Sequence, residues 1–338
     1  MSRLTYALEP VPPFRLDLAV WVLRRRPENA IDRWDSQCYR RALALGSDAV
    51  EVAVTQTGPP ETPRLRVTVA GERTDPGTKP AVAAALERLL GLRIDLTEFE
   101  RFASRDARLG PLARRFRGMK PPRFPTVFEC VVNAIACQQV TLTLGVRLVG
   151  RLAEAYGLAM SGGDAPVHAF PQPEELARSK PEELRTLGFS RQKARALIEL
   201  SSAIAEGHLD LEALAYESDG AALDRLSRVR GVGRWTGEYV LLRGLGRLHV
   251  FPGDDVGARN NLLRWLGLTG PLNYDGVRRA VTPWSAYGGL VYFHLLLDRL
   301  VEAGYVKSKR RATPALKEAG TNDDGNPLEA SIREACSR

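Results

Sequence analysis

Two glycines one residue apart, Gly231 and Gly233, lie between two helical apolar spacings, and they limit the fold more than any other feature of the chain. Leu226 and Val229 fall on one helix face before them, and Trp235 with Tyr239, or Thr236 with Val240, fall one turn apart after them. This spacing predicts a helix, a tight hairpin and a second helix over 226–240. Glycine takes backbone angles that a Cβ forbids, and without side chains a flat polyanion can come against bare amides. Those amides open the second helix, whose positive dipole end favours phosphate. Val229, Arg230, Gly231, Val232, Gly233, Arg234 and Thr236 are therefore a candidate phosphate clamp. Arg228, Arg230, Arg234, Arg243 and Arg247 surround it, with Glu238 the only acid from Arg228 through Arg247, so the local field attracts nucleic acid. Taken alone, the two glycines also describe a helix turn that only packs.

Around this unit the chain divides into three parts by pattern. Over residues 1–95 the periods are mixed. Val50, Val52 and Val54 alternate, as do Leu65, Val67 and Val69, and each set predicts a strand with one buried face, joined by the turn-rich segment Gln56 to Pro63. Leu16, Ala19, Val20 and Leu23 form a helix stripe, and Val82, Leu86, Leu89 and Leu90 form another that ends at Gly91. This is a small α+β domain. Over 96–305 strand patterns disappear and an all-α domain is expected. Phe128, Val131, Val132 and Ile135 mark a helix interrupted near Gln138-Gln139 and restarting through Leu144, Leu148 and Leu152, with Thr141 or Thr143 as its cap. A short helix is expected between Pro171 and Leu187, another from Arg191 to Ile204, and one starting at Thr282-Pro283 and running through Phe293 to Leu297. Residues 306–338, with Lys307, Lys309, Arg310 and Arg311 followed by a polar stretch, read as a basic, disordered tail.

The run Val229 to Thr236, followed by Phe251-Pro252-Gly253-Asp254-Asp255, resembles the helix-hairpin-helix DNA glycosylase superfamily, and within it the bacterial 3-methyladenine DNA glycosylase II group. The likeness extends from about Tyr6 to about Tyr305, and the hairpin-to-aspartate unit is its specific part. It implies an α+β domain followed by an all-α helix-hairpin-helix glycosylase fold. It also implies a monofunctional enzyme of base excision repair that flips out alkylated purines and hydrolyses the N-glycosidic bond. Two alternatives stay open: a glycosylase for an oxidised, deaminated or etheno purine, and a noncatalytic binder of damaged DNA.

The second aspartate of the motif, Asp255, is the catalytic candidate: a carboxylate beside a flipped nucleotide can activate water or stabilise positive charge on the sugar. The plainer role is to cap a helix beginning near Val256. Where strand-cutting relatives carry a lysine, this chain has Trp235, which has no amine to form a Schiff base. Its indole offers a π face to a cationic base, or else packs in the core. Tyr239 follows one turn along, and the resemblance puts Phe293 where the group often has tryptophan, so these three are the candidate base pocket. Trp284 and Tyr287 match the family pattern at a helix start, where packing is expected. The resemblance places Gln139, beside Gln138, at the position that wedges into the gap left by the base; a cap or loop amide is the other reading. Arg191 and Lys193 open a helix and are candidates to touch phosphate. The likeness further implies a Na or K ion on backbone carbonyls from Val229 to Val232.

With a formal charge of +8 and a pI near 9.5, the chain suits a polyanionic partner, here double-stranded DNA with damaged bases, met as a monomer. Cys38, Cys130, Cys137 and Cys336 form no C-x-x-C pair, and the four histidines show no ligand spacing, so neither a zinc site nor an iron–sulfur cluster is expected. No organic cofactor is called for. There is no signal-peptide pattern and no run of about 20 apolar residues, which points to a cytoplasmic, nucleoid-associated protein.

Overall fold

The computed structural model describes residues 2–72, 74–160 and 166–306. It opens with β1 (Ser2–Leu8), α1 (Leu16–Arg24), β2 (Arg33–Trp34), β3 (Cys38–Leu45), β4 (Asp48–Gln56), β5 (Leu65–Gly71) and α2 (Thr78–Leu90). The strands form one antiparallel sheet in the order β1-β5-β4-β3-β2. Register pairs Val52 with Val69 and Val54 with Val67, so the alternating valines line one face, which α1 and α2 cover. Fully burying each such side chain stabilises the fold by about 1.5–3 kcal/mol. Gly91 takes φ 65 and ends α2, where the sequence stripe stops.

The helical part follows: α3 (Thr97–Ser104), α4 (Leu109–Arg115), α5 (Val127–Cys137), α6 (Leu142–Tyr156), α7 (Pro173–Ala177), α8 (Pro181–Thr186), α9 (Arg191–Ala205), α10 (Asp219–Ser227), α11 (Arg234–Arg243), α12 (Val256–Leu266), α13 (Tyr274–Val281) and α14 (Gly288–Glu302). Thr141 caps α6 by accepting the Leu144 N–H. Three expectations need correction. The region is not helix throughout, because β6 (Ala159–Met160) and β7 (Val167–His168) pair. Two short helices, each started by a proline, replace the one expected between Pro171 and Leu187. Thr282-Pro283 begins a 3-10 segment over Thr282–Tyr287 that is itself broken at Trp284, and α14 starts only at Gly288.

Two features join the sheet to the helices. α1 is buried on both sides: Leu16, Ala19, Val20 and Leu23 face the sheet, while Leu18, Trp21 and Val22 enter the core that contains α14. Arg41 of β3, 1% exposed, bonds Asp32 at 2.8 Å and Glu129 of α5 at 2.5 Å, with Tyr39 also donating to Asp32. Val306, the first residue of the tail predicted for 306–338, packs in the core that contains α14; the rest of that prediction, residues 307–338 and with them Cys336, lies outside the described residues. No helix among the described residues is long and apolar enough to cross a membrane.

Candidate active site

The hairpin lies between α10 and α11, and the Val232 N–H closes it on the Val229 carbonyl at 3.0 Å. Gly231 has φ 79, where a side chain is strained, and a Cβ there would come within 3.2 Å of Ala196. Gly233 differs from the expectation: its φ of −99 suits any residue, and a Cβ there would meet nothing within 4 Å. Its bareness matters only to something approaching from outside. As the cap of α11 it offers no side-chain acceptor, so the first amides of that helix have neither an intrahelical nor a capping partner.

Three bonds tie α11 to the following loop, one to each of three consecutive residues. Glu238 accepts the Gly253 N–H at 2.9 Å, Arg234 donates to Asp254 at 2.7 Å, and the Trp235 indole N–H donates to Asp255 Oδ2 at 3.2 Å. Asp255 Oδ1 accepts the Ala258 N–H at 2.8 Å and caps α12. The cap and the held carboxylate are thus one residue, with each oxygen assigned a donor. Glu238 is buried, which raises its carboxyl above the usual range, and it also accepts the Tyr274 hydroxyl at 2.5 Å. Sequence reasoning missed this link, although a lone acid in an arginine-rich helix was its signal.

Around Asp255 the aromatic side chains sort differently from the prediction. Trp235 is half-buried and tilted against Tyr239, with ring centroids 5.6 Å apart. Tyr239 is 1% exposed, with Arg243 and Arg25 over its ring at 5.6 and 5.9 Å, and burial pushes its hydroxyl up to about 12. Phe293 is 0% exposed, lies in the core and has Arg243 over its ring at 5.6 Å, so it presents no free face to a base. Its neighbour Tyr292, not singled out from the sequence, is the α14 aromatic that senses Asp255: burial first, and that carboxylate second, raise its phenol. Adjacent helical residues point about 100° apart, so Tyr292 and Phe293 lie on different faces of α14. Trp284 and Tyr287 pack, as expected, the former donating to Asp106.

The predicted positive field also contracts. Arg228, Arg230 and Arg234 are exposed, with Arg230 paired to Glu199 and Arg234 to Asp254. Arg243 is fully buried and donates to the carbonyls of Val22 and Leu23 at the end of α1; Arg247 donates to Ala215 and Glu217. The side chains of Thr236 and Val232 are buried, and the Thr236 hydroxyl accepts from Gln138 at 2.9 Å, so Thr236 has only its backbone amide to offer a phosphate.

Gln138 also donates to the Gly231 carbonyl at 2.7 Å, which fastens the end of α5 to the hairpin. Gln139 is exposed and takes φ 52, a left-handed conformation that costs a residue with a side chain about 1–2 kcal/mol. Lys193, expected near phosphate, instead directs its ammonium at backbone carbonyls of this turn, and burial lowers its pKa. His294 packs in the core, its Nδ1 within 2.7 Å of the Leu290 carbonyl. The described residues contain no cluster of metal-ligating side chains.

Residues 132–286, from α5 to the 3-10 segment, match the HhH-GPD superfamily of base excision DNA repair proteins. Over 291 residues the chain is 30% identical to YfjP of Bacillus subtilis, covering 86% of this chain and 97% of that one. It is 29% identical over 283 residues to DNA-3-methyladenine glycosylase 2 of Escherichia coli, covering 83% and 94%. Among solved structures, the 3-methyladenine DNA-glycosylase of Archaeoglobus fulgidus superposes with a TM-score of 0.75 at 27% identity, covering 88% of this chain and 99% of that one. The fold is shared more widely, as with an 8-oxoguanine glycosylase/lyase of Clostridium acetobutylicum at a TM-score of 0.70 and 16% identity, covering 89% and 98%. This chain belongs to the HhH-GPD superfamily of base excision DNA repair proteins.

Proposed function

We propose that the protein is a monofunctional DNA glycosylase that removes alkylated purines of the 3-methyladenine type from duplex DNA and leaves an abasic site. The observation that carries this is the Asp255 carboxylate, fixed by the Ala258 amide and the Trp235 indole beside the uncapped start of α11. Phosphate would rest on the α11 amides, with Arg228 and Arg230 adding charge at the rim. As the N-glycosidic bond breaks, the base leaves with the bonding pair and positive charge develops on the sugar. Asp255 stabilises that charge and accepts a proton from the water that attacks the anomeric carbon. Trp235 offers the cationic base its π face. With no amine at Trp235, the reaction stops at hydrolysis.

Gln139 would fill the gap left in the duplex, and Gln138 would serve DNA binding through the hairpin it braces. A monovalent cation fits the hairpin carbonyls: Val229 keeps a second lone pair after accepting the Val232 N–H, and neutral oxygens suit a hard ion. When bound, it supplies positive charge against the phosphate. We place the enzyme in the cytoplasm at the nucleoid, acting as a monomer. The test is incubation with methylated duplex DNA and chromatography of the freed bases. Release of methylpurines is expected; release of only oxidised or deaminated purines, or of no base despite tight binding, would overturn the assignment.

A further inference from the structure

Gln139 is held out from the protein by a turn that its own backbone disfavours, so something must fix that turn. It follows the last helical residue of α5, Cys137, and stands exposed at φ 52. Lys193 lies opposite, on the first turn of α9, where the Ser190 hydroxyl accepts its N–H at 3.3 Å. Its ammonium donates to the carbonyls of Ala136 at 2.9 Å and Gln138 at 2.6 Å. These are carbonyls at the end of a helix, which lack intrahelical partners and favour a cation. An ammonium has three donors, and two are spent on this turn. On the other side, the Gln138 amide reaches Gly231 and Thr236, so the turn is gripped between α9 and the hairpin.

We propose that Lys193 is a positioning residue for strand opening: it fixes the left-handed turn that projects Gln139, acting through the backbone of Ala136 and Gln138 and not on DNA. This rests on the reading of Gln139 as the wedge. It separates Lys193 from the two roles a basic side chain on such a surface ordinarily has, a phosphate contact or a solvated charge. A phosphate contact would govern affinity for any duplex. A brace on the wedge governs only the step in which a paired base leaves the stack.

The experiment uses duplex DNA with 2-aminopurine as the target base, whose fluorescence rises on unstacking whether or not any bond is cut. Lys193→Met should reduce the protein-induced rise about tenfold, while Lys193→Arg, which retains donors, should restore most of it. Affinity for undamaged duplex should stay within about twofold, with an unchanged salt slope; loss of a phosphate contact would lower that slope by about one. Lys193→Met combined with Gln139→Ala should be no worse than Gln139→Ala alone, because both remove the same wedge. Should the methionine variant melt early, Lys193→Gln in the same pairing makes the comparison. Unchanged unstacking in Lys193→Met, or additive losses in the double variant, would overturn the proposal. Lys193-dependent unstacking without base release would uphold it and remove the glycosylase reading. Methylpurine release with unstacking indifferent to Lys193 would do the reverse.

Discussion

Asp255→Asn separates what the carboxylate does for the fold from what it does for chemistry. In the fold it accepts two hydrogen bonds, from the Ala258 amide at 2.8 Å and the Trp235 indole at 3.2 Å. Asparagine caps helices about as well as aspartate, so the first bond survives. An amide has a single acceptor oxygen, so the indole then meets an NH2 group, and losing that bond costs about 1 kcal/mol. Removing negative charge from the positive end of α12 costs about 0.3–1 kcal/mol more. The protein should therefore stay folded, with a melting temperature lower by a few degrees. Chemistry loses more, because a preorganised group aimed at developing charge typically contributes about 10²–10³ in rate. A neutral amide also cannot accept the proton of the attacking water. Single-turnover release of methylpurines should fall at least about a hundredfold. Affinity for duplex DNA should hold or rise, since a charge facing phosphates is gone. A rate within tenfold of wild type would remove Asp255 from the chemistry, and a rate loss matched by lost binding would reduce it to a helix cap.

Trp235→Phe keeps a ring but loses the indole N–H on Asp255, so base release should slow about tenfold with DNA affinity unchanged; equal loss of both would make Trp235 a packing residue. Borohydride should trap no covalent complex with abasic DNA, and a strong trapped band would contradict the monofunctional reading. Gly231→Ala should lower stability by about 1 kcal/mol because of its φ of 79, whereas Gly233→Val should leave the melting temperature unchanged and weaken binding to damaged and undamaged duplex alike. Unchanged affinity in Gly233→Val would take the hairpin out of the clamp. Burial lowers His294 to about 4 from an ordinary 6.5, so the unfolded chain takes up this proton first as pH falls. Stability from this group is full above about 6.5 and is lost as pH drops to about 4, a change of about 3 kcal/mol. Denaturant unfolding at both ends of that window should show a shallower pH dependence in His294→Phe, and an identical slope would exclude His294 as its source.

Much of this molecule is legible in its sequence where one period runs unbroken. The valines of β4 and β5, the stripes of α1 and α2, the hairpin helices and the cap at Asp255 all lie where spacing puts them. β3 is harder to see because Arg41 occupies a core position, and a charged residue breaks the apolar alternation that marks a strand. The same blind spot turned Arg243 into a surface charge: nothing in the spacing shows that three aromatic rings and the end of α1 enclose it. That Phe293 is wholly enclosed depends on the rotation of α14, a tertiary property. The left-handed Gln139 has no local signal either, since its cause lies more than fifty residues away in Lys193.

The ion cluster of Arg41, Asp32 and Glu129 has a consequence for anyone dividing this protein. Glu129 belongs to α5 and depends for its counter-charge on a strand of the opening sheet. A fragment starting after residue 95 would lose both the arginine that pairs with Glu129 and the α1 side chains that pack on the core of α14, leaving apolar surface open to water. The opening sheet is therefore no detachable appendage. Swapping in a sheet from a relative should succeed only when the arginine travels with it.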